Sequence, residues 1–471
     1  MTVRAVELLS ATDVVVHDRL VDARVVRLAP VDAEIIDVGK RAGSPGWLQA
    51  EINAVLLDRG RRNLDVVRLK GGDPYVFGRG GEEAEALRAA GIDYDVVPGV
   101  SSATAAAVSA GVPLTMRGVA SAFTVVTGHD VTDPHSSVAW ESVARSRATI
   151  VIVMGGSSRS AIAERLIAAG LPGETPVLAV SSATHPSQRS VRATLQTLGA
   201  ISLGPPVTLI VGEVAQLAFA SYEDRALAGL RVVVTREVLA DDPFGTALLR
   251  LGAEVIEFPT IAVVDPADGG AALEKAAGDA SGYEWIVFSS KNAVDRFFRA
   301  LRDVRGIGGA KIAAIGSATA DALAQRGVIA DLVPLRFVDE ALVEEFVAAD
   351  GGGRVLLPRA AGATAVLPLG LRALGWEVDA VEAYRTVTPP ADPGLLERMV
   401  GADAITFLSS SAVTGFLALA GRESMPRIVA SIGPVTSATL RDHGVAVDVE
   451  ATVHTASGIV DALVAYVRGA R

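Results

Sequence analysis

The chain has 471 residues, half of them hydrophobic and 21% charged, with a net charge of −11 and no cysteine. That length holds roughly three or four domains at ~100–200 residues each. The missing cysteines exclude disulfides, thiolate metal sites and thiol nucleophiles, and the acidic balance excludes nucleic acid as the main partner, because phosphate binding wants a basic footprint.

From the N-terminus, strand-like runs at Asp13–His17, Asp65–Leu69, Phe123–Thr127 and Thr149–Met154 alternate with helix-like stretches at Trp47–Arg59, Glu82–Ala90 and Ser160–Ala169. That alternation predicts α/β architecture. Gly91 and Gly170 follow the last two helices at the position where glycine takes the left-handed conformation. Val112–Thr115 reads as a crossing between two domains. Glu213–Ala228 is helix-like, and a boundary near Gly229 precedes a new strand at Arg231.

The densest signal is Arg68–Glu83, RLKGGDPYVFGRGGEE. An apolar run broken by Gly-Gly-Asp-Pro predicts a buried strand ending in a loop whose backbone approaches something closely. In open α/β sheets ligands bind at that carboxyl end. The plainer alternative is a turn followed by a helix start carrying Glu82 and Glu83.

The second half contains an internal repeat. Val287–Val294 echoes Thr406–Val413, and Ala314–Thr319 echoes Ser431–Thr436. Val233–Arg236 likewise matches Leu356–Arg359, and Ala253–Pro259 matches Trp376–Ala383. Two related α/β domains follow. The simplest assembly builds one from 229–263 plus 388–471 and inserts the other at 264–387, with two crossings and a hinged cleft. About five strands each is a flavodoxin-like count.

Residues 3–215 resemble uroporphyrinogen-III C-methyltransferase, of the tetrapyrrole methylase family. The matching pieces are Ala11–Val21, Val38–Gly43, Arg68–Glu83, Val97–Ser101, Gly111–Thr115 and Val126–His129. The resemblance implies a tetrapyrrole-methylase fold of two subdomains, 1–113 and 114–228. It implies S-adenosylmethionine as cofactor and uroporphyrinogen III as substrate, methylated twice to precorrin-2. The family's cofactor contacts correspond to Gly71, Gly72, Asp73, Val76, Ser101, Ser102, Met154 and Ala183, the last standing where glycine is usual. Its base and acid correspond to Asp18 and Lys40. Dearomatising a pyrrole requires a proton to leave, which a positioned carboxylate accepts. For Asp18 a surface ion pair with Arg19 is the alternative, and Lys40 equally suits a substrate carboxylate. Arg41, Arg68, Lys70, Arg79 and Arg117 would add positive charge for an octacarboxylate, or are solvated surface residues. The sequence starts inside the family's first motif, so the first strand and one wall of the cofactor site are expected to be missing.

Residues 231–471 resemble uroporphyrinogen-III synthase, whose two flavodoxin-like α/β domains would cyclise hydroxymethylbilane with inversion of ring D. The carriers are the repeat, its serine loops, and Glu382–Thr386. Substrate-binding residues are expected at Arg236, Ser289, Ser290, Thr319, Ser409, Ser410, Gly433 and Thr436, with Tyr384 assisting water loss. For Tyr384 a buried, satisfied hydroxyl is the alternative; for Thr319, Thr436 and Ser289 it is a helix N-cap.

The implied whole is a bifunctional enzyme of the siroheme and cobalamin branch. The alternative is a monofunctional synthase with the methyltransferase half as an interaction module. No apolar run is long enough for a membrane span, and the N-terminus lacks the order of a signal peptide. The six histidines lack metal-ligand spacing. A cytoplasmic protein with tetrapyrrole partners, no membrane, no metal, and room for a homodimer through the methyltransferase half is therefore expected.

Overall fold

The structure, a computed structural model, describes residues 1–39, 47–129, 131–133, 136–236, 242–336, 338–346, 353–390 and 392–470. Its strands form four sheets. In the first, β1 (Val14–His17), β2 (Glu34–Asp37) and β3 (Val66–Leu69) run parallel in the order β2-β1-β3. Valines at 14 to 16 suit a strand covered on both faces, and all three are buried.

β3 is different. Its four residues are only partly buried, and its outer edge has no partner strand among the described residues. Beyond that edge, residues 93–97 have no regular secondary structure and make no backbone hydrogen bond to any described residue. A cavity of about 660 Å³ lies between, lined by Val66, Val67, Leu69, Tyr94, Val96 and Val97 among others. The trough has the character of a strand position: apolar groups above and below, unpaired peptide groups on either side.

The second sheet contains β4 (Phe123–Thr127), β5 (Thr149–Val153), β6 (Pro176–Ser181), β7 (Arg189–Thr194) and β8 (Val207–Val211), in the order β4-β5-β8-β6-β7. Only β4 and β5 pair in parallel. The helix Ser102–Ser109 joins the two sheets. Its Ala106 and Ala107 pack on Leu178, Val180 and Ile210, and its Ala103 packs on Val151 and Val153. Small side chains permit that close approach.

The helix expected over Glu213–Ala228 is replaced by two short 3₁₀ turns, Glu213–Gln216 and Tyr222–Asp224, within irregular chain. Side chains take over the backbone groups a helix would satisfy. The guanidinium of Arg192 donates to the Ala215 and Leu217 carbonyls, and Asp224 accepts from the Ser221 amide. Leu227 is then buried with Val232, Val234 and Phe244 in the next core, and its amide donates to Leu251 O at 2.8 Å. Arg27 adds a 2.7 Å ion pair to Glu257, so the two halves are joined by packing as well as by the chain.

The second half holds β9 (Arg231–Val234), β10 (Glu254–Glu257), β11 (Ala262–Val264), β12 (Trp285–Phe288), β13 (Lys311–Ala314), β14 (Arg354–Ala360), β15 (Glu377–Val387), β16 (Ala404–Phe407), β17 (Ile428–Ser431) and β18 (Val449–Glu450). One parallel sheet has the order β10-β9-β16-β17-β18. Within that sheet's own strands this is 2-1-3-4-5, the flavodoxin-like order.

The other sheet is β11-β15-β14-β12-β13. Aligning the strands matched by the repeat gives β15-β14-β12-β13 the same spatial order as β10-β9-β16-β17. An isolated parallel bridge between Ala313 and Leu332 stands where β18 stands in its counterpart. The two sheets are therefore circular permutations of one plan. β11 adds an antiparallel edge, with Ala262 opposite Val387, so the two crossings pair with each other. Among the described residues no helix is long and apolar enough to cross a membrane.

Candidate functional site

The first site forms at the carboxyl ends of β1 and β3. Gly71 and Gly72 leave β3 and, with Pro74, Tyr75, Gly99 and Val100, line the 660 Å³ cavity. The loop is held from its own side: the Asp73 carboxylate accepts from Tyr75 N at 2.9 Å and Gly99 N at 3.1 Å. Asp73 thus has a structural task that its sequence position does not disclose. A Cβ on Gly99 would stand 2.1 Å from Gly72 O, and one on Gly72 3.6 Å from Ser101 Cα. Two glycines therefore bring this loop against the start of the helix Ser102–Ser109. Ser101 caps that helix by accepting from Ala103 N.

Met154 follows β5 directly and is half exposed, with φ at +57°. Ala183 packs against the Ala106–Ala107 side of the same helix. The residues on either side of Ala183, Ser182 and Thr184, have φ of +48° and +69°, a conformation non-glycine residues take at some cost. Gln188 fixes them: fully buried, it accepts from Thr184 N and donates to Ser109 O. Nothing in the sequence singles it out. Val76 is exposed beside Tyr75 and Phe77.

Asp18 sits at the end of β1. Its ion pair is with Arg68, Nη2 to Oδ1 at 2.5 Å, and not with the adjacent Arg19 that the sequence suggests. Arg68 and Lys70 alternate along the chain and so share one face. Both reach Glu83 Oε1, at 3.1 and 2.9 Å, and Gln49 adds a third donor at 3.2 Å. Glu83 and Lys70 are almost fully buried. Glu83, which the sequence presents as an ordinary helix-start glutamate, is therefore the keystone of a buried ionic network, and Arg68 and Lys70 are not solvated surface residues. Lys40 and Arg41 lie outside the described residues.

In the second half, the expected residues fall at carboxyl ends of strands or on the following helix starts. Ser290 caps the helix Lys291–Ala300 and Ser409 caps Ser410–Ala420, each accepting from the amide three residues on. These are the repeat's equivalent positions. Ser289 is not a cap. Thr319 and Thr436 are buried third residues of helices capped by Gly316 and Gly433. The Tyr384 hydroxyl lies 3.0 Å from Ser290 Oγ, which joins β15 to the serine loop after β12. Arg236 pairs with Asp242, while its Nε is buried without a partner among the described residues. Ser410 Oγ accepts from Thr439 Oγ1 at 2.8 Å. The buried pair Ser431–Ser437, with hydroxyls 2.5 Å apart, has no signal of its own in the sequence.

Comparison with known proteins divides the chain in the same way. Residues 1–199 match the Tetrapyrrole (Corrin/Porphyrin) Methylases, and residues 242–461 match Uroporphyrinogen-III synthase HemD. The chain is 36% identical over 432 residues to the porphyrin biosynthesis protein HemD of Ruminiclostridium josui, covering 89% of this chain and 86% of that one. It is 47% identical over 231 residues to a uroporphyrinogen-III C-methyltransferase of Paracoccus denitrificans, covering 48% and 79%. Among solved structures, the Thermus thermophilus uroporphyrin-III C-methyltransferase complexed with S-adenosylhomocysteine aligns at 40% identity and a TM-score of 0.40, over 46% of this chain and 92% of that one. With one relative spanning both halves and a methyltransferase relative matching the first, this chain belongs to the tetrapyrrole methylase family in its first half and to the HemD uroporphyrinogen-III synthase family in its second.

Proposed function

We propose that the chain is a bifunctional enzyme that closes hydroxymethylbilane to uroporphyrinogen III in its second half and methylates that product to precorrin-2 in its first. The observation that carries the methyltransferase assignment is the placing of Asp18, held by Arg68, one strand away from the Gly71–Gly72 loop. What supports S-adenosylmethionine here is the bare backbone of the loop: a Cβ on Gly71 would meet nothing nearer than Leu20 Cβ at 3.9 Å, so the chain leaves room for a ligand at the carboxyl end of β3. Gly71, Gly72, Asp73, Val76, Ser101, Ser102, Met154 and Ala183 would hold it. When bound, the cofactor supplies a methyl group already activated by its sulfonium.

This chain's own part is alignment and proton removal. The loop and the helix start fix position, which is the main requirement for transfer to a nucleophilic carbon. Asp18 Oδ takes the proton that leaves the methylated macrocycle carbon, and the ion pair with Arg68 keeps the carboxylate aimed until then. In the second half, Tyr384 and Ser290 form a hydroxyl pair suited to assisting departure of water from hydroxymethylbilane. Arg236, Ser289, Thr319, Ser409, Ser410, Gly433 and Thr436 would place the remaining chain. We assign a cytoplasmic setting, and a homodimer through the methyltransferase half on the exposed apolar residues Tyr75, Phe77, Val100 and Met116.

The test is a coupled assay on the full chain. Hydroxymethylbilane alone yields uroporphyrinogen III, and added S-adenosylmethionine carries it to precorrin-2. A second reading, synthase activity alone with the first half as an interaction module, is favoured by the open edge of β3 beside the loop. Cyclisation with no calorimetric heat on adding S-adenosylhomocysteine selects it. Absence of cyclisation ends both readings.

A further inference from the structure

The carboxyl edges of the two synthase sheets meet at the hinge. Only residues 258–261 separate β10 from β11, and β11 pairs with Arg385–Val387 at the carboxyl end of β15. Most cations along these edges are engaged within the protein. Arg236 pairs with Asp242, Arg359 donates to Thr364 O, and Arg385 to Asp265 O.

Two nitrogen-bearing side chains are not engaged. Lys291 opens the helix after β12 on the inserted domain, and His454 lies in the loop after β18 on the other. Both are exposed, and neither has a hydrogen-bond or ion-pair partner among the described residues. Lys291 stands where the repeat has Ser410, so the two domains differ in charge at equivalent strand ends.

His454 has a prepared seat. A Cβ on Gly433 would stand 2.9 Å from His454 Cδ2 and 3.1 Å from Cγ. Gly433 has φ of 168°, extended backbone open to any residue, so the glycine there serves the approach of the ring and not a backbone conformation. In a chain of net charge −11, an unneutralised ammonium and a seated imidazole, one on the carboxyl edge of each synthase sheet and both several strands away from the hinge strands, are suited to an extended polyanion.

We propose that Lys291 and His454 grip carboxylates of the linear tetrapyrrole from opposite domains, so that the cleft closes on the anionic rim of its substrate. The proposal rests on the synthase reading above. Both side chains are exposed, so Lys291→Ala and His454→Ala fold as the parent does, checked by thermal melting. Each raises KM for hydroxymethylbilane by about five- to tenfold, as expected for removing one charge-assisted hydrogen bond, with kcat within about twofold. Lys291→Arg restores most of the affinity. Binding of uroporphyrin III, a stable octacarboxylate, weakens in parallel, and the difference shrinks at about 0.5 M salt as screening sets in. A double variant whose KM and uroporphyrin affinity both stay within about twofold of the parent overturns the proposal, as does a parent chain that binds no uroporphyrin. A parent that binds uroporphyrin through both residues yet closes no hydroxymethylbilane upholds this grip and refutes the synthase reading.

Discussion

The sheet β2-β1-β3 and the sheet β10-β9-β16-β17-β18 are built from equally apolar strands, yet they differ in how well those strands are covered. Val66 and Val67 in β3 are only partly buried, whereas Val233 in β9 and Ile405 in β16 are inaccessible. The sequence of β3 is that of a central strand. What it lacks, among the described residues, is a neighbour, and without one the trough beyond its edge stays open. Burial is thus a property of the completed sheet, and strand composition reports only what a strand is suited to. The first subdomain offsets its thinner sheet with the ionic network centred on Glu83, which ties β1, β3 and the helix Gly80–Ala89 together.

That contrast can be broken by three measurements. Glu83→Gln leaves Lys70 buried without a counter-charge and Arg68 with Asp18 alone, and should destabilise the first subdomain by about 3–5 kcal/mol. Hydrogen exchange should show it as loss of protection at β1 and β3 while β9 and β16 are unchanged; equal loss in both halves would mean that the network is not local. Next in size is a matched pair. Val233→Ala removes a fully buried side chain and should cost about 2 kcal/mol, whereas Val67→Ala should cost less than about 1 kcal/mol. Similar values from denaturant unfolding would contradict the claim that β3 is under-covered. Smallest are the caps. Ser290→Ala and Ser409→Ala should each cost about 1 kcal/mol, nearly alike because the two serines are structural equivalents. A strong inequality, followed by local exchange at the two helices, would point to the Tyr384 hydrogen bond that only Ser290 makes.

Much of the fold was legible because it is written in local signals. Strand and helix alternate at the right lengths, and the repeat points to two related α/β domains in the second half; their permuted strand order came into view only in the structure. The antiparallel β11 was less visible. It has three residues, and only its pairing with Val387, more than a hundred residues away, makes it a strand. The stretch 213–228 has helical composition but gives its carbonyls to Arg192. In the site, the glycine loop announces itself, since glycine next to glycine has few other uses. The state of Asp18 does not, because its partner Arg68 is 50 residues off and that partner's own anchor is Glu83. Gln188 was hidden for the same reason: its value lies in satisfying Thr184 and Ser109 at once.

The discontinuous sheet also sets a schedule for the ribosome. β9 and β10 leave it first, but β9's other neighbour, β16, starts 147 residues after β10 ends, at Ala404 against Glu257. At ~5–20 residues per second that is a wait of roughly 7 to 30 s. During it, Val232 to Val234 present a newly made apolar edge while the inserted domain is still being synthesised. Leu227, already docked beside them, and Arg27, reaching Glu257 from a part of the chain made earlier, are the contacts available to shelter that edge. The methylase half would then serve its successor as an internal chaperone while the synthase half is still being completed.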